Sequence, residues 1–434
     1  MKKFYSLITG SLLVAASSTQ LNAQCGNRYH DFIFAGVDVT SNIVYGNNVT
    51  FNNSASILKL DVYRPTGDTD TLRPLIIFAH GGSFVGGSKT GADMIPLCTD
   101  FAKMGYVTAS IDYRLFMTDL PFPGPDSNDA GGAVMRAVHD ARAAVRFFRK
   151  NYTEGGNTYG IDTNNIYFGG VSAGGFIALH LAYMNELSEF PTYIDTTGVT
   201  VGTKTGQKGL LGGIEGNSGN QGYSSKVKAI VNLSGALSDT AWIKAGDIPL
   251  FSSHGTGDGT VPYGTALIYL QPPTTYPIQI VDGSSSVAAK ANQVGVVNCF
   301  KSYLSNSHVP EGDAPYYDTT LCLARNFLEH FTCGIPFNCN YTAMVTSIRD
   351  LTANDATINV FPNPAYSALT IDLKAFSGKN INIELYDALG RKVKEITKIK
   401  TDQHTITRGN LPNGIYLINV IVEGKLYSKK IMFE

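Results

Sequence analysis

The sequence predicts an α/β domain with a mostly parallel sheet flanked by helices, followed by a small all-β sandwich. In the first three quarters of the chain, apolar runs with strand-like composition alternate with segments of helical spacing, which is typical of a parallel sheet covered on both faces. From about residue 354 the pattern changes to short strands of alternating polarity separated by turn residues, which is typical of a sandwich. The 434 residues, 43% of them hydrophobic, suffice for one large and one small domain.

The strands of the large domain are predicted from runs rich in β-branched and aromatic residues. Residues 57–63 alternate in polarity and end at Arg64-Pro65, so we expect an antiparallel strand there. Continuous apolar runs, expected in the parallel part of the sheet, are residues 75–79, 107–111, 166–168, 229–233, 250–253 and 278–281. The clearest helix has Val134, Val138, Ala141, Val145 and Phe148 on one face, with Arg142, Arg146 and Arg149 off it.

The first 23 residues are predicted to be a signal peptide. Lys2 and Lys3 precede an apolar stretch over residues 7–16, and Ala23 is a small residue suited to cleavage before Gln24. The stretch is shorter than the roughly 20 apolar residues that a membrane span needs, so we expect release and no membrane span. The formal net charge of −1 argues against a nucleic-acid partner.

Six cysteines in an exported chain predict disulfide bonds. Four of them lie between residues 299 and 339, so we expect them to staple the end of the large domain. The sequence does not select among the pairings that six cysteines allow. Because there is no C-x-x-C spacing, we expect neither a zinc site nor a redox motif.

Two loops interrupt the alternation of strands and helices. Residues 116–131 are rich in Pro, Gly and Asp, and residues 202–222 are glycine-rich and polar. Two interpretations stay open: they are ordinary surface loops, or they overhang a site as a lid or substrate wall.

The motif that bears most directly on function is G-x-S-x-G at residues 170–174. It lies between the apolar strand at 166–168 and a segment with helical spacing that starts at Phe176. Glycines on both sides of Ser172 permit a sharp turn that projects the hydroxyl, with a helix N-terminus behind it. We therefore expect Ser172 to be a nucleophile and the N–H of Ala173 to stabilise an oxyanion.

A glycine-rich turn, HGGSF at residues 80–84, directly follows the strand at 75–79. Such a turn directs backbone N–H groups into a cleft at the carboxyl end of a strand, so we expect Gly82 and Ser83 to complete the oxyanion hole. His80 lies within the turn and precedes Ser172 in the chain. A structural role, holding the turn, is therefore the favoured interpretation of His80.

A serine nucleophile needs a base and an acid that orients the base. Asp258 lies in a glycine-rich turn after the strand at 250–253, where α/β sheets place functional side chains, and is the expected acid. Asp140, on a predicted helix, and Asp282, in a predicted turn, are the competitors. In the chain order Ser, Asp, His the base follows the acid. His308 lies in a loop and His330 on a helical pattern, so His308 is the expected base.

Together these motifs resemble the carboxylesterase branch of the α/β-hydrolase fold. The resemblance covers residues 55–335 and rests on HGGSF at 80–84, IDYRL at 111–115, GVSAGG at 170–175 and HGTGD at 254–258. It implies an eight-stranded, mostly parallel sheet and two-step ester hydrolysis without a metal or organic cofactor. Within the branch, the chain is most similar to secreted feruloyl and acetyl esterases that act on plant-polysaccharide esters. Ser83 and Ser307 stand where the family commonly has glycine.

The C-terminal segment resembles the type A sorting domain of the type IX secretion system. FPNP at 361–364, YDALGR at 386–391, LPNGIY at 411–416 and the lysine pair at 429–430 carry the resemblance. It implies export through the outer membrane by the type IX machinery, removal of the tail, and a secreted or cell-surface location. A carbohydrate-binding sandwich is the alternative. The predicted organisation is a signal peptide (1–23), a catalytic domain (24–340), a linker (341–356) and a sorting domain (357–434).

Three other functions share these motifs. A serine peptidase can use the same strand-to-helix turn, but such enzymes commonly carry a propeller, and the sequence has no blade-length repeat. A hydrolase of polyester polymers would have an open, aromatic cleft. A surface binding protein could keep the scaffold without catalysis, which the presence of Ser172, Asp258 and His308 argues against.

Overall fold

A computed structural model of the protein describes residues 25–115, 125–190, 209–270, 276–313, 316–336, 339, 358–387, 391–422 and 425–434. The predicted signal peptide, the predicted linker and residues 116–124 and 202–208 of the two loops lie outside the described residues. Contacts divide the chain into two compact units, Met1–Tyr341 and Thr342–Glu434.

The first unit alternates strands and helices along the chain. Its strands are β1 (Val37–Val49), β2 (Ala55–Pro65), β3 (Arg73–Ala79), β4 (Val107–Ile111), β5 (Ile161–Val171), β6 (Ala229–Leu233), β7 (Ala236–Leu237), β8 (Leu250–Gly255), β9 (Thr265–Leu270), β10 (Tyr276–Gly283) and β11 (Asn298–Tyr303). Its helices are α1 (Met94–Lys103), α2 (Ser127–Glu154), α3 (Ala173–Tyr183), α4 (Ser284–Val294) and α5 (Tyr316–Cys333). Short 3-10 segments lie at Leu187–Glu189, Thr240–Trp242 and Pro310–Gly312. None of the helices in the described part of the chain is long and apolar enough to cross a membrane.

Eight strands form the main sheet, in the order β1-β2-β4-β3-β5-β6-β8-β11. The pairs β1–β2 and β2–β4 are antiparallel, and all the other neighbouring pairs are parallel. The predicted fold class is therefore confirmed, including the antiparallel strand at 57–63. Strands β1 and β11 were not predicted as strands, because both lie at edges of the sheet and lack a continuous apolar run.

The assignment of residues 278–281 to the parallel sheet is wrong. These residues lie in β10, which pairs antiparallel with β7 and β9 in a separate three-stranded sheet. Asp282, expected in a turn, also lies in β10 and accepts hydrogen bonds from Thr240 N–H (2.8 Å) and the Thr265 hydroxyl. An apolar run this short does not distinguish a central strand from a half-exposed hairpin strand.

Two apolar cores cover the two faces of the main sheet. Along β3, Leu75 and Ile77 join one core, whereas Ile76 and Phe78 join the other. This alternation follows from the two-residue period of a strand. Helices α2, α3 and α4 cover the first face, and α1 and α5 cover the second.

The described part of the loop at 202–222 packs against α2. Arg142 and Arg146 are buried and bind the carboxylate of Glu215 at 2.9 and 2.8 Å, respectively. The Ser218 hydroxyl donates a hydrogen bond to Asp140 (2.6 Å), which also forms a buried ion pair with Arg114 (2.8 Å). Two of the three arginines predicted off the apolar face of α2, Arg142 and Arg146, are thus covered by this polar loop, and Asp140 forms an ion pair within the fold.

The disulfide pattern differs in part from the expectation. Cys299 pairs with Cys339 at the end of the first unit, as expected, but Cys333 pairs with Cys25 near the other end of the chain. Cys98 and Cys322 are buried and free. Cys98 lies in the apolar core between the sheet and helices α1 and α5, where a thiol packs like a small apolar side chain, whereas Cys322 accepts contacts from Arg325 and Asn326.

The second unit is a β-sandwich, as predicted. Its strands are β12 (Asn359–Phe361), β13 (Ala368–Asp372), β14 (Ile381–Asp387), β15 (Lys392–Ile399), β16 (Gln403–Thr407), β17 (Gly414–Val422) and β18 (Lys425–Phe433). One sheet has the order β12-β13-β16 and the other β15-β14-β17-β18. Side chains from both sheets, among them Leu369, Ile383 and Ile418, share one apolar core. The sequence of this unit contains one histidine, His404, and no cysteine.

Candidate active site

Ser172 occupies the turn between β5 and α3. Its backbone has φ 53° and ψ −114°, a conformation that L-residues rarely adopt and that is common at functional sites. The turn depends on close approaches of backbone on both sides. A Cβ at Gly170 would collide with the backbone of Gly174, and a Cβ at Gly174 would collide with the carbonyl of Ala79. The G-x-S-x-G spacing is therefore required by packing, which the sequence predicted.

The structure brings Ser172 and His308 into hydrogen-bonding contact, although 136 residues separate them. The Oγ of Ser172 lies 2.7 Å from Nε2 of His308. The Nδ1 of the same ring lies 2.7 Å from Oδ2 of Asp258. Because an ionised carboxylate only accepts hydrogen bonds, Nδ1 carries the proton and Nε2 is left to accept the proton of the serine.

The carboxyl group of Asp258 is fully buried at the end of β8. Oδ1 accepts hydrogen bonds from the N–H groups of Thr260 (2.8 Å) and Val261 (3.0 Å). Burial by itself raises the pKa of Asp258. Hydrogen bonds from His254 and His308 outweigh that effect and lower its pKa to about 2. The group therefore remains a carboxylate at any pH at which an imidazole is neutral.

The turn at residues 80–84 lies directly beside Ser172. A Cβ built on Gly81 would be 3.4 Å from Cβ of Ser172. Gly82, Ser83 and Phe84 all have positive φ, at 113°, 53° and 59°. Asp93, just before α1, holds the turn by accepting a hydrogen bond from Gly81 N–H (2.9 Å).

The expected oxyanion donors are the N–H groups of Gly82, Ser83 and Ala173. Within the described residues, no protein acceptor takes the N–H of Gly82 or Ser83. Ala173 is the first residue of α3, where a backbone N–H has no partner inside the helix. The turn beside Ser172 and the first residue of α3 thus carry three N–H groups without a protein acceptor among the described residues, and the helix N-terminus also favours negative charge.

His80 has the structural surroundings that the sequence favoured. Its Nδ1 donates to the carbonyl of Gly81 (2.6 Å), and its ring stacks on Tyr113 with the ring centres 4.3 Å apart. The Tyr113 hydroxyl donates to the carbonyl of His80 (2.9 Å). Burial lowers the pKa of His80, so the ring is held neutral. His330 lies on α5, with Nδ1 hydrogen-bonded to the carbonyl of Ile335.

Two buried residues near the site were missed by the sequence analysis. His254 places Nε2 3.1 Å from Oδ2 of Asp258. Glu311, three residues after His308, accepts hydrogen bonds from the hydroxyls of Ser234 (3.0 Å) and Ser253. Burial raises the pKa of Glu311, and the hydrogen bonds oppose this rise. His254 is part of the HGTGD motif that the sequence analysis used, but only the fold shows that its ring contacts Asp258. Glu311 carries no sequence signal.

An apolar cleft opens beside Ser172, with an empty volume of about 610 Å³. Phe84, Val134 and Phe176 line one side, and Ile268 and Ile278 of the β9–β10 hairpin line another. The described part of the 202–222 loop is not among the lining residues, so it is not a wall of this cleft. In the described part of the chain, no group of three His, Cys, Asp or Glu side chains is arranged to hold a metal ion.

Comparisons with known proteins match both units. Residues 60–269 match the model of the BD-FAE family, and residues 359–434 match the model of the secretion system C-terminal sorting domain. A curated Arabidopsis thaliana protein, described as "Probable isoprenylcysteine alpha-carbonyl methylesterase ICMEL2", is 28% identical over 156 residues. The match covers 36% of this chain and 31% of that protein.

Among solved structures, the apo form of Thermogutta terrifontis esterase 2 is 22% identical, with a TM-score of 0.46. The match covers 69% of this chain and 96% of that one. The same esterase with bound propionate is 21% identical, with a TM-score of 0.44, and the match covers 68% and 95% of the two chains. The sorting domain marks the protein for export by a type IX secretion system. The chain thus carries an α/β-hydrolase domain of the BD-FAE family of esterases, followed by a type IX C-terminal sorting domain.

Proposed function

We propose that the protein is a secreted serine esterase in which Ser172 is the nucleophile, His308 the general base and Asp258 the acid that orients it. The observation that carries this proposal is the unbroken pair of 2.7 Å contacts from Ser172 Oγ through the His308 ring to Asp258. Contacts of this length are within reach for proton transfer. The family of residues 60–269 supports ester bonds as the target.

In the first half of the reaction, Ser172 Oγ attacks the ester carbonyl carbon while its proton passes to His308 Nε2. The negative carbonyl oxygen accepts hydrogen bonds from Gly82, Ser83 and Ala173. Loss of one such donor in an oxyanion hole costs about 3 kcal/mol of transition-state stabilisation. The intermediate collapses, the alkoxide leaves with the proton held by His308, and the acyl group stays on Ser172.

In the second half, a water molecule gives a proton to His308 Nε2 and attacks the acyl carbon. The same N–H groups bind the oxyanion, and collapse returns the proton to Ser172 and releases the carboxylic acid. Asp258 remains ionised throughout and stabilises the imidazolium in both halves.

The substrate class that we propose is an ester of a small acyl or aromatic acid, such as one linked to a plant polysaccharide. Phe84, Phe176 and the aliphatic hairpin residues form an apolar cleft beside Ser172, which favours an apolar acyl or aromatic group there. A panel of methyl ferulate, acetylated xylan and short p-nitrophenyl esters separates aromatic from acetyl preference. Equal turnover of every member of the panel would contradict selection by this cleft.

The experiment that tests the mechanism measures p-nitrophenyl acetate and butyrate hydrolysis by wild-type protein and Ser172→Ala. We expect loss of activity in the variant and covalent labelling of Ser172 by a fluorophosphonate in the wild type only. Ser88→Ala is the matched control and should keep full activity, because the Ser88 hydroxyl contacts only the Thr90 hydroxyl among the described residues. Turnover of Ser172→Ala near the wild-type rate would refute the proposal.

A second candidate function, hydrolysis of polyester polymers, is favoured by one observation. The β9–β10 hairpin lines the cleft through Ile268, Tyr269 and Leu270, and it also exposes Leu267 and Ile280, which lie opposite each other in the strand pairing. An apolar face beside the cleft would suit an insoluble apolar chain. Under this hypothesis, Leu267→Ser with Ile280→Ser lowers release of acid from a polyester film and leaves p-nitrophenyl acetate turnover unchanged. Equal losses on both substrates would contradict it.

A further inference from the structure

The carboxylate of Asp258 accepts four N–H donors, and only one of them belongs to His308. Two are the backbone N–H groups on Oδ1 described above. The fourth comes from His254, whose Nε2 lies 3.1 Å from Oδ2, the same oxygen that faces His308. Since Nε2 of His254 also lies 3.2 Å from the carbonyl of Val261, it faces two acceptors and must carry a proton.

The ring of His254 is itself held in place on its other side. Its Nδ1 lies 2.8 Å from the hydroxyl of Ser284, at the start of α4. That hydroxyl accepts a hydrogen bond from Nδ2 of Asn232 (2.9 Å), whose Oδ1 accepts from Gly235 N–H (3.0 Å). The backbone N–H of Gly235 fixes the orientation of the amide, and the hydroxyl is held by the amide and by the carbonyl of Gly235, which lies 3.1 Å from it. His254, Ser284 and Asn232 are fully buried, so no bulk water competes for these contacts.

We propose that His254 is a positioning residue of the reaction, which holds Asp258 in one orientation and one charge state so that Asp258 can orient His308. This inference rests on the proposed function and extends it. A chain of hydrogen-bonding contacts then runs from Ser284 through His254, Asp258 and His308 to Ser172. In this chain His254 acts through Asp258 and does not touch the substrate.

The titratable groups around His254 determine the direction of the effect. Asp258 contacts the ring of His254, and Glu311 lies near enough for the two side chains to interact electrostatically. The ring of Tyr263 packs edge-on against His254, with the ring centres 5.8 Å apart. Without the N–H of His254, Asp258 keeps more negative charge for His308 and also takes up its own proton more readily. The fall of kcat/KM at low pH, its acid limb, reports protonation of the general base or of Asp258. Both changes therefore move this acid limb to higher pH.

The test compares two variants at one position. His254→Gln places an amide N–H near the position of Nε2, whereas His254→Leu has similar bulk and no donor. For His254→Leu we expect a drop in kcat of about 10- to 100-fold, the effect of one charge-assisted hydrogen bond, with KM unchanged and the acid limb at higher pH. His254→Gln should recover most of the rate and the wild-type profile. If His254 served packing alone, its replacement would change the yield of folded protein, and the pH profile of kcat/KM would be the same as wild type in both variants.

A milder change keeps the proposal testable if His254→Leu does not fold. Ser284→Ala removes one oxygen and frees the His254 ring on its far side, so we expect a smaller loss of kcat and a shift in the same direction. Ser286→Ala is the control, because the hydroxyl of Ser286, two residues along the same helix, contacts Thr265 and no other residue that the structure describes. If His254→Leu does not fold, wild-type kcat and an unchanged acid limb in Ser284→Ala would overturn the inference.

Failure of the inference and failure of the proposed function give different results. If Ser172→Ala retains activity, the proposed function fails and this inference fails with it. If Ser172→Ala is inactive and His254→Leu keeps the wild-type kcat and acid limb, only the inference fails.

Discussion

Replacing Asp258 with asparagine changes one atom at the centre of the site and is expected to abolish most of the activity. Each carboxylate oxygen of Asp258 accepts two N–H groups. An asparagine has only one oxygen, so its NH2 group must face two donors in either orientation. The backbone donors of Thr260 and Val261 cannot reverse, whereas an imidazole can change its tautomer. The NH2 group is therefore expected to turn toward His254 and His308.

His308 must then accept at Nδ1, which places its proton on Nε2, facing Ser172. In that tautomer the ring cannot take the proton of the nucleophile. A change of this kind in a serine triad lowers kcat by about 10⁴-fold, equivalent to about 5 kcal/mol of barrier. We expect Asp258→Asn to lower kcat for p-nitrophenyl butyrate by about 10³- to 10⁴-fold, with little change in KM.

The matched control is Asp282→Asn, which alters the competing acid candidate that follows Ser172 in the chain and lies in β10. Asp282 accepts hydrogen bonds from Thr240 and Thr265 and has no described contact with a histidine. Its replacement should leave kcat within about twofold of wild type. A loss of less than tenfold in Asp258→Asn, with the protein folded by circular dichroism, would refute the tautomer argument.

Three further predictions concern stability, each measured by urea unfolding. Burial raises the pKa of Glu311 above 4.5 in the folded state. The protonated form therefore stabilises the folded protein fully below about pH 4.5, and this stabilisation is lost as the pH rises through the folded-state pKa. Glu311→Gln should unfold at a higher urea concentration than wild type at pH 8, and the difference should be smaller at pH 4. Replacing Cys25 and Cys333 with serine removes a bond that closes 308 residues, and should lower the free energy of unfolding by about 2 to 4 kcal/mol. Gly174→Ala introduces a Cβ that collides with a strand carbonyl, and should cost about 3 kcal/mol or more, whereas Gly86→Ala, with open space around it, should cost little.

Each of these predictions has a result that would contradict it. An unfolding midpoint of Glu311→Gln below wild type at pH 8 would mean that the buried carboxylate stabilises the fold. A double cysteine variant as stable as the wild type would indicate that the Cys25–Cys333 bond constrains nothing. Equal stability of the two glycine variants would mean that the contact between α3 and β3 relaxes freely.

The sequence predicted the parts of the fold that local pattern encodes. Strand β4 at Val107–Ile111 and strand β6 at Ala229–Leu233 coincide with the predicted runs, because a strand buried on both faces is rich in apolar residues and has no charged ones. The turn at Ser172 was also predicted, since Gly170 is required by a contact with Gly174, four residues along the chain. Strand β10 was misplaced, because a short apolar run does not carry information about which sheet it joins.

The sequence by itself determined the fold class, the strand-to-helix turn at Ser172, and the choice of Ser172, His308 and Asp258, which the structure brings together. Only the tertiary structure decided that Cys333 bonds to Cys25, that the polar loop at 209–222 covers α2, and that His254 contacts Asp258. The physical reason is that periodicity and turn chemistry act over a few neighbouring residues, whereas these partners meet only after the order of strands in the sheet has brought distant segments together.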